Sequence, residues 1–244
     1  MSTRRARLAS GPAVDWRRCL LAGAALVALV ATGCGGDDEA TGATTTVAGD
    51  VATTTTGAPA EVDQPVLFPV DGSVLQDPVV VAQGFLGVYL PDATVSLGDF
   101  QQGDPSSGEV PVVFTNENGD SVTRSTLLLR QFGDGWFVTG AANEFVTIDE
   151  PAPASTVAPG PLTVSGVGRG FEALVAVRAV PVGGGDPIDE VPGSGGNAAD
   201  PEPYSVDLDL SGVEAGQDVA VFAAGGVGLE GDPGEFSAVA IAVR

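Results

Sequence analysis

The side chains able to do chemistry in this chain are mostly carboxylates. It carries 32 Asp and Glu against 10 Lys and Arg, and every one of those cations is Arg; Lys and His do not occur. Missing imidazole removes Ser-His-Asp and Cys-His catalysis and the commonest metal-ligand nitrogen. Missing ammonium removes the phosphate-cradling lysine of nucleotide-binding loops and Schiff-base chemistry. Carboxylates alone leave three options: a pair for glycoside hydrolysis, an aspartic dyad, or Ca²⁺ ligation. Acids cluster at Asp186, Asp189 and Glu190, at Asp200 and Glu202, and at Glu230, Asp232 and Glu235. None of these spacings matches the ligand pattern of an EF-hand loop, so they read as solvated acidic turns and no metal or cofactor is expected.

The other reactive residue is Cys34. It closes Ala31-Thr32-Gly33-Cys34 and is followed by Gly35-Gly36. Before it come Arg4, Arg5, Arg7, Arg17 and Arg18 and the apolar stretch Leu20 to Ala31. That stretch is shorter than the roughly 20 residues of a membrane span and has the layout of a secretory signal. The small residues before the cysteine resemble a bacterial lipobox, with Ala31 where Leu is commoner. The resemblance implies a lipoprotein signal peptide over 1–33 and a diacylated Cys34 that holds the mature protein on the lipid bilayer. Cys19 would leave with the signal, so no internal disulfide is expected.

Five of the ten arginines and one acid, Asp15, precede Cys34. The chain from Cys34 onward therefore carries 5 basic and 31 acidic residues, a net charge of −26. Such a surface repels phosphate backbones, which excludes nucleic acid as a partner class.

Residues 34–63 are Thr-, Gly- and Ala-rich without hydrophobic period and read as a disordered tether. A coil of about 28 residues spans on the order of 30 Å. A small α+β domain is expected over 64–151. Asp77-Pro78 is a helix start, Asp as N-cap and Pro at the first helical position, and Val81, Phe85 and Tyr89 with Ala82 and Leu86 form its apolar stripe up to Pro91. Strands are expected at 95–100, 110–115, 122–132, 136–139 and 145–148, with Asn118-Gly119 as a hairpin turn. One helix before an antiparallel sheet resembles a small NTF2-like or cystatin-like fold. Tyr89, Phe132, Trp136 and Phe137 would then either fill the space between helix and sheet or line a pocket there.

A Pro-rich linker is expected over 152–161, extended and semi-rigid. From 162 to 244 the pattern is all-β. Leu162, Val164 and Gly166 alternate with polar residues, and so do Tyr204, Val206, Leu208 and Leu210. Phe171, Ala173, Val175 and Val177 alternate likewise, which predicts one strand with Phe171 pointing into the core. Two further strands are expected at 219–223 and 236–243, and short strands between Gly-rich turns predict a β-sandwich.

Pro161-Leu162-Thr163-Val164-Ser165-Gly166, followed by Gly168-Arg169-Gly170-Phe171-Glu172-Ala173, resembles the opening of the immunoglobulin-like domain associated with bacterial spore germination proteins, the Gmad2 family. The likeness covers the last third of the chain, and the Gly- and acid-rich stretch 183–200 departs from it. It implies an immunoglobulin-like sandwich used as an extracytoplasmic binding or spacer module without enzymatic role. In the motif, Gly166 and Gly170 are expected to bracket a tight bend with positive φ, with Arg169 and Glu172 close together beside it. The bend is a structural corner or a recognition edge.

The expected function is a non-enzymatic lipoprotein of the cell envelope that binds an envelope protein or glycan, or spaces a partner from the membrane. The alternatives are a solute-binding lipoprotein using a pocket in the α+β domain, and a carboxylate-dependent hydrolase of wall glycans.

Overall fold

The computed structural model describes residues 62–197 and 199–244. The expected signal peptide, Cys34 and all but the last two residues of the expected tether lie outside the described residues. The described part is mostly antiparallel β-sheet with one α-helix.

Helix α1 spans Pro78–Tyr89 and begins as its sequence dictates. The Asp77 carboxylate accepts hydrogen bonds from the backbone N–H groups of Val79 (2.8 Å) and Val80 (3.4 Å), and Pro78 occupies the first turn, where its missing N–H costs nothing. Val81, Ala82, Phe85 and Tyr89 are buried. The last turn contains no basic residue of its own. Arg178, far along the chain, supplies one: its guanidinium donates to the Tyr89 carbonyl (3.1 Å), where a cation also complements the helix dipole.

The strands are β1 (Val95–Leu97), β2 (Gln101–Asp104), β3 (Ser107–Thr115), β4 (Ser121–Phe132), β5 (Gly135–Ala142), β6 (Thr156–Val157), β7 (Pro161–Gly168), β8 (Leu174–Pro181), β9 (Asp189–Ser194), β10 (Glu202–Asp209), β11 (Asp218–Gly225) and β12 (Glu235–Val243). Ten of them form one sheet in the order β1-β3-β4-β5-β12-β11-β8-β9, with β2 on β3 and β6 on β12. The remaining two, β7 and β10, pair antiparallel as a second layer. The hairpin at Asn118-Gly119 forms as expected, with Gly119 at φ 87°. Register shifts at Val112/Val113 and Leu128/Leu129 put bulges into β3–β4 and β4–β5, which bends this half of the sheet.

Strands β11 and β12 explain why the sheet holds two cores. Their residues point alternately to opposite faces. Ala220, Phe222, Phe236, Ala238 and Ala240 face one core with α1, β3, β4 and β5. Val219, Val221, Ala223, Val239, Ile241 and Val243 face the other, with β7, β8 and β10. Strands covered on both faces become continuous apolar runs, as in Val219 to Ala224 and Ala238 to Val243.

Several elements depart from expectation. The sheet crosses the segment expected as an inter-domain linker: β5 pairs with β12 through Ala141↔Ala238 and Gly140↔Val239. Residues of 64–151 and 162–244 thus share a core, because β12 has apolar residues on both faces and only one is covered by β7–β10. The Pro-rich stretch lies on this sheet. Ala154 N–H donates to the Ala240 carbonyl (2.8 Å), and Thr156–Val157 pair in parallel with Ala242 and Val243. No strand forms at 145–148; this segment is irregular and bonds to β7 through Thr147 N–H to the Val167 carbonyl (2.8 Å). The strand expected over 95–100 stops at Leu97. Strand β9 falls inside the Gly- and acid-rich stretch, where its Pro and Gly hide a period of two.

Tyr89 and Trp136 are buried in the core under α1. Phe137, also buried, packs against half-buried Phe132 with ring centroids 5.7 Å apart and is not part of that core, because alternate residues of β5 take opposite faces. Phe85, Tyr89 and Phe222 form an aromatic cluster with ring centroids 5.0–6.3 Å apart, so side chains fill the space between helix and sheet. Among the described residues no helix is long and apolar enough to cross a membrane.

Candidate functional site

The motif residues Gly166, Gly168, Arg169, Gly170, Phe171 and Glu172 run from the end of β7 through a single helical turn, Phe171–Ala173, into β8. The glycines serve close approach rather than left-handed backbone. A Cβ on Gly168 would lie 2.6 Å from Val175 Cγ2, and one on Gly166 or Gly170 would overlap the carbonyl oxygen of Thr147 or Leu174. Gly170 has extended backbone, φ −171°. Positive φ falls two residues later, on side-chain-bearing Glu172 (56°) and Ala173 (61°). The expected positive φ at Gly166 and Gly170 is corrected accordingly, since the chain reverses after the glycines. Two adjacent non-glycine residues in this region are strained, a feature that concentrates where structure serves recognition or catalysis.

The strain changes what the bend displays. Phe171 N–H donates to the Gly226 carbonyl (2.6 Å), and Phe171 is 60% exposed. The expectation that Phe171 points into the core fails because β8 starts only at Leu174. The inward period begins at Val175, and extending it backwards runs one strand through a corner. Leu174 is itself 43% exposed, and Leu229, in the facing 226–234 loop, is 57% exposed.

Beneath the tip is a cavity of about 280 Å³ lined by Arg124, Arg169, Phe171, Gly226, Val227 and Glu235, among others. The Arg169 guanidinium makes a bidentate pair with Glu235, Nε to Oε2 at 2.8 Å and Nη2 to Oε1 at 2.6 Å. It also stacks on Phe145, 3.4 Å from the ring centroid. Hydrogen bonding to Glu235 pushes the Arg169 pKa above its already high ordinary value, against the opposing effect of burial. The ion-pair partner of Arg169 is therefore Glu235. Phe145 is placed by Asn143, whose side-chain oxygen accepts from Phe145 N–H (2.7 Å) and Val146 N–H (3.0 Å) and whose amide donates to the Arg124 carbonyl (3.1 Å). Ser237 Oγ, buried, accepts from Asn143 N–H (3.0 Å) and donates to the Val146 carbonyl (2.5 Å). Arg124 pairs with Asp232.

Both cations at the cavity are thus tied to acids, and two of the three acids of the third cluster, Asp232 and Glu235, serve as their partners while Glu230 is exposed. Among the described residues no three acids converge as a metal site. What the site offers a partner is exposed apolar side chain, glycine backbone and a small cavity with charge-paired walls. The motif is visible in the sequence, but its connection to Phe145, Asn143 and Glu235 is not, and Glu235, expected in a solvated acidic turn, is instead sheltered against Arg169. Glu235 lies 66 residues from Arg169, and no local pattern connects the two.

No family of known proteins, no curated protein and no solved structure matches the chain.

Proposed function

We propose that this chain is a membrane-anchored extracytoplasmic lipoprotein whose folded part is a non-enzymatic binding or spacer module of the cell envelope. The anchor rests on the resemblance of Ala31-Thr32-Gly33-Cys34 to a lipobox, behind five arginines and an apolar run. The binding role rests on one observation above the others: a strained bend that exposes Phe171 beside a cavity instead of burying it. Proteins retain such strain where the surrounding structure imposes it and function uses it. The C-terminal part is read as an immunoglobulin-like sandwich of the Gmad2 type, a reading supported by the layering of β7–β10 over β8, β11 and β12 through a shared apolar core. The partner is an envelope protein or glycan, with the bilayer engaged only through acylated Cys34.

Two measurements test this. Cys34→Ala should abolish metabolic lipid labelling and stable membrane retention; unchanged fractionation would remove the anchor. A photo-crosslinking amino acid in place of Phe171 should give a discrete adduct in intact cells, and absence of any adduct would remove the recognition edge.

A further inference from the structure

We propose that the Phe171 tip docks a cationic protein segment that presents an apolar side chain; this deepens, and rests on, the reading of the bend as a recognition edge. The apolar part of the surface is continuous. The ring of Phe171 lies against Gly228, with 3.8 Å between its Cδ1 and the position of a Cβ there, and Leu174 lies against Gly226 at 3.7 Å by the same measure. Val227 and Leu229 belong to the same loop. Exposed apolar side chains grouped in this way mark interaction sites more often than isolated ones do. The cavity of about 280 Å³ under Phe171 has room for one inserted side chain.

The charge around this surface is one-sided. Glu172 is on the bend, Glu202 pairs with Gly168 across the β7–β10 layer, and Glu230 follows Leu229; all three are exposed. The cations nearby, Arg124 and Arg169, are neutralised by Asp232 and Glu235. The tip therefore presents apolar contacts inside a negative rim, on a chain of net charge −26 from Cys34 onward. A complementary partner carries Lys or Arg around its apolar residue. The same rim opposes anionic lipid headgroups and a second copy of this chain, both of which bring like charge.

The test uses the full-length chain purified in detergent and a fluorescent peptide, Gly-Lys-Lys-Phe-Lys-Lys-Gly, with two variants in which Ser replaces Phe or Glu replaces every Lys. At physiological salt the parent peptide should bind, and Phe171→Ser and Leu229→Ser should each weaken it by about tenfold. Combined Glu172→Gln, Glu202→Gln and Glu230→Gln should weaken it comparably, while combined Glu109→Gln, Asp134→Asn and Glu214→Gln, of equal charge but remote from the tip, should change affinity by less than about twofold. No binding, equal affinity for the Ser peptide, equal loss in both acid triples, or unchanged affinity in both serine variants would overturn the proposal. So would a Phe171-dependent dimer of the chain, or photo-adducts at position 171 formed with lipid and not protein. The adduct experiment also separates the two readings: protein adducts with no peptide binding would sink the cationic class and leave the recognition edge standing.

Discussion

Arg169 joins three segments by itself: Phe145 beneath its guanidinium, Glu235 in front of it, and its own bend. Its side chain and that of Glu235 are 19% and 13% exposed, so the pair is sheltered but not sealed. Removing one partner of such a pair leaves the other charge poorly solvated. Arg169→Met should therefore lower unfolding free energy in urea by about 2 kcal/mol, and a double-mutant cycle with Glu235→Gln should return a coupling of about 1 kcal/mol or more. The strain at the bend predicts the opposite sign for another change. Ala173→Gly relieves a positive φ that Ala tolerates poorly, and should raise stability by up to about 1 kcal/mol, net of the extra freedom it gives the unfolded chain. The two tyrosines make a third prediction. Tyr89 donates to the Leu67 carbonyl (2.9 Å) and Tyr204 to the Thr147 carbonyl (2.7 Å), and burial pushes both phenols above their ordinary value of 10.0, helped at Tyr204 by the charge of Asp149. A raised folded-state pKa means the neutral phenol favours the fold. That contribution is complete below pH 10 and is lost as pH rises through the folded values. Tyrosinate absorbance in an alkaline titration should accordingly stay absent past pH 10 and appear together with loss of tertiary structure; titration of either ring in the intact fold near pH 10 would contradict its burial.

Helix α1 and the double-faced strands differ in where their stability comes from. The helix start is local, and Asp77→Ala should cost about 1 kcal/mol because two backbone donors lose their acceptor. The helix end is not local, since its capping cation is Arg178 on β8. Phe222 on β11 lies in the middle of this arrangement, 5.2 Å from Tyr89 and 6.3 Å from Phe85 by ring centroids, with the Arg178 guanidinium 5.1 Å from its own. Truncating a fully packed Phe costs about 3–5 kcal/mol. Phe222→Ala should reach that range in chemical denaturation and should also loosen the end of α1, visible as faster amide exchange at Tyr89 and Leu90. Much of this was legible in the sequence. The N-cap, the Val81-Phe85-Tyr89 stripe and the Tyr204 to Leu210 alternation each rest on interactions within a few residues. The bend at 171–173 was not legible, because a strand and a corner share the same alternation until the partner loop at Gly226 takes the Phe171 N–H.

For the molecule as a whole, the decisive contact is between β5 and β12. Only two register pairs join them, yet they make one sheet out of segments that the Pro-rich stretch separates in sequence. Because β12 contributes Phe236, Ala238 and Ala240 to one core and Val239, Ile241 and Val243 to the other, loss of either core exposes the strand that supports its neighbour. Calorimetry should show one cooperative unfolding transition, with calorimetric and van't Hoff enthalpies in agreement, and two separated transitions would mean that the halves fold independently.

From residue types alone came the missing imidazole and ammonium, the surplus of acid, the Cys34 motif and the locally capped or alternating elements. All of these depend on composition or on neighbours within one turn or one strand. Three features arise only on folding: one sheet carries both cores, Arg169 meets Glu235 and Phe145, and Phe171 stands outside. The physical reason is common to all three. Each depends on groups many residues apart whose meeting is set by which faces remain uncovered once the strands pair, and an apolar alternation specifies that a face is buried without specifying what buries it.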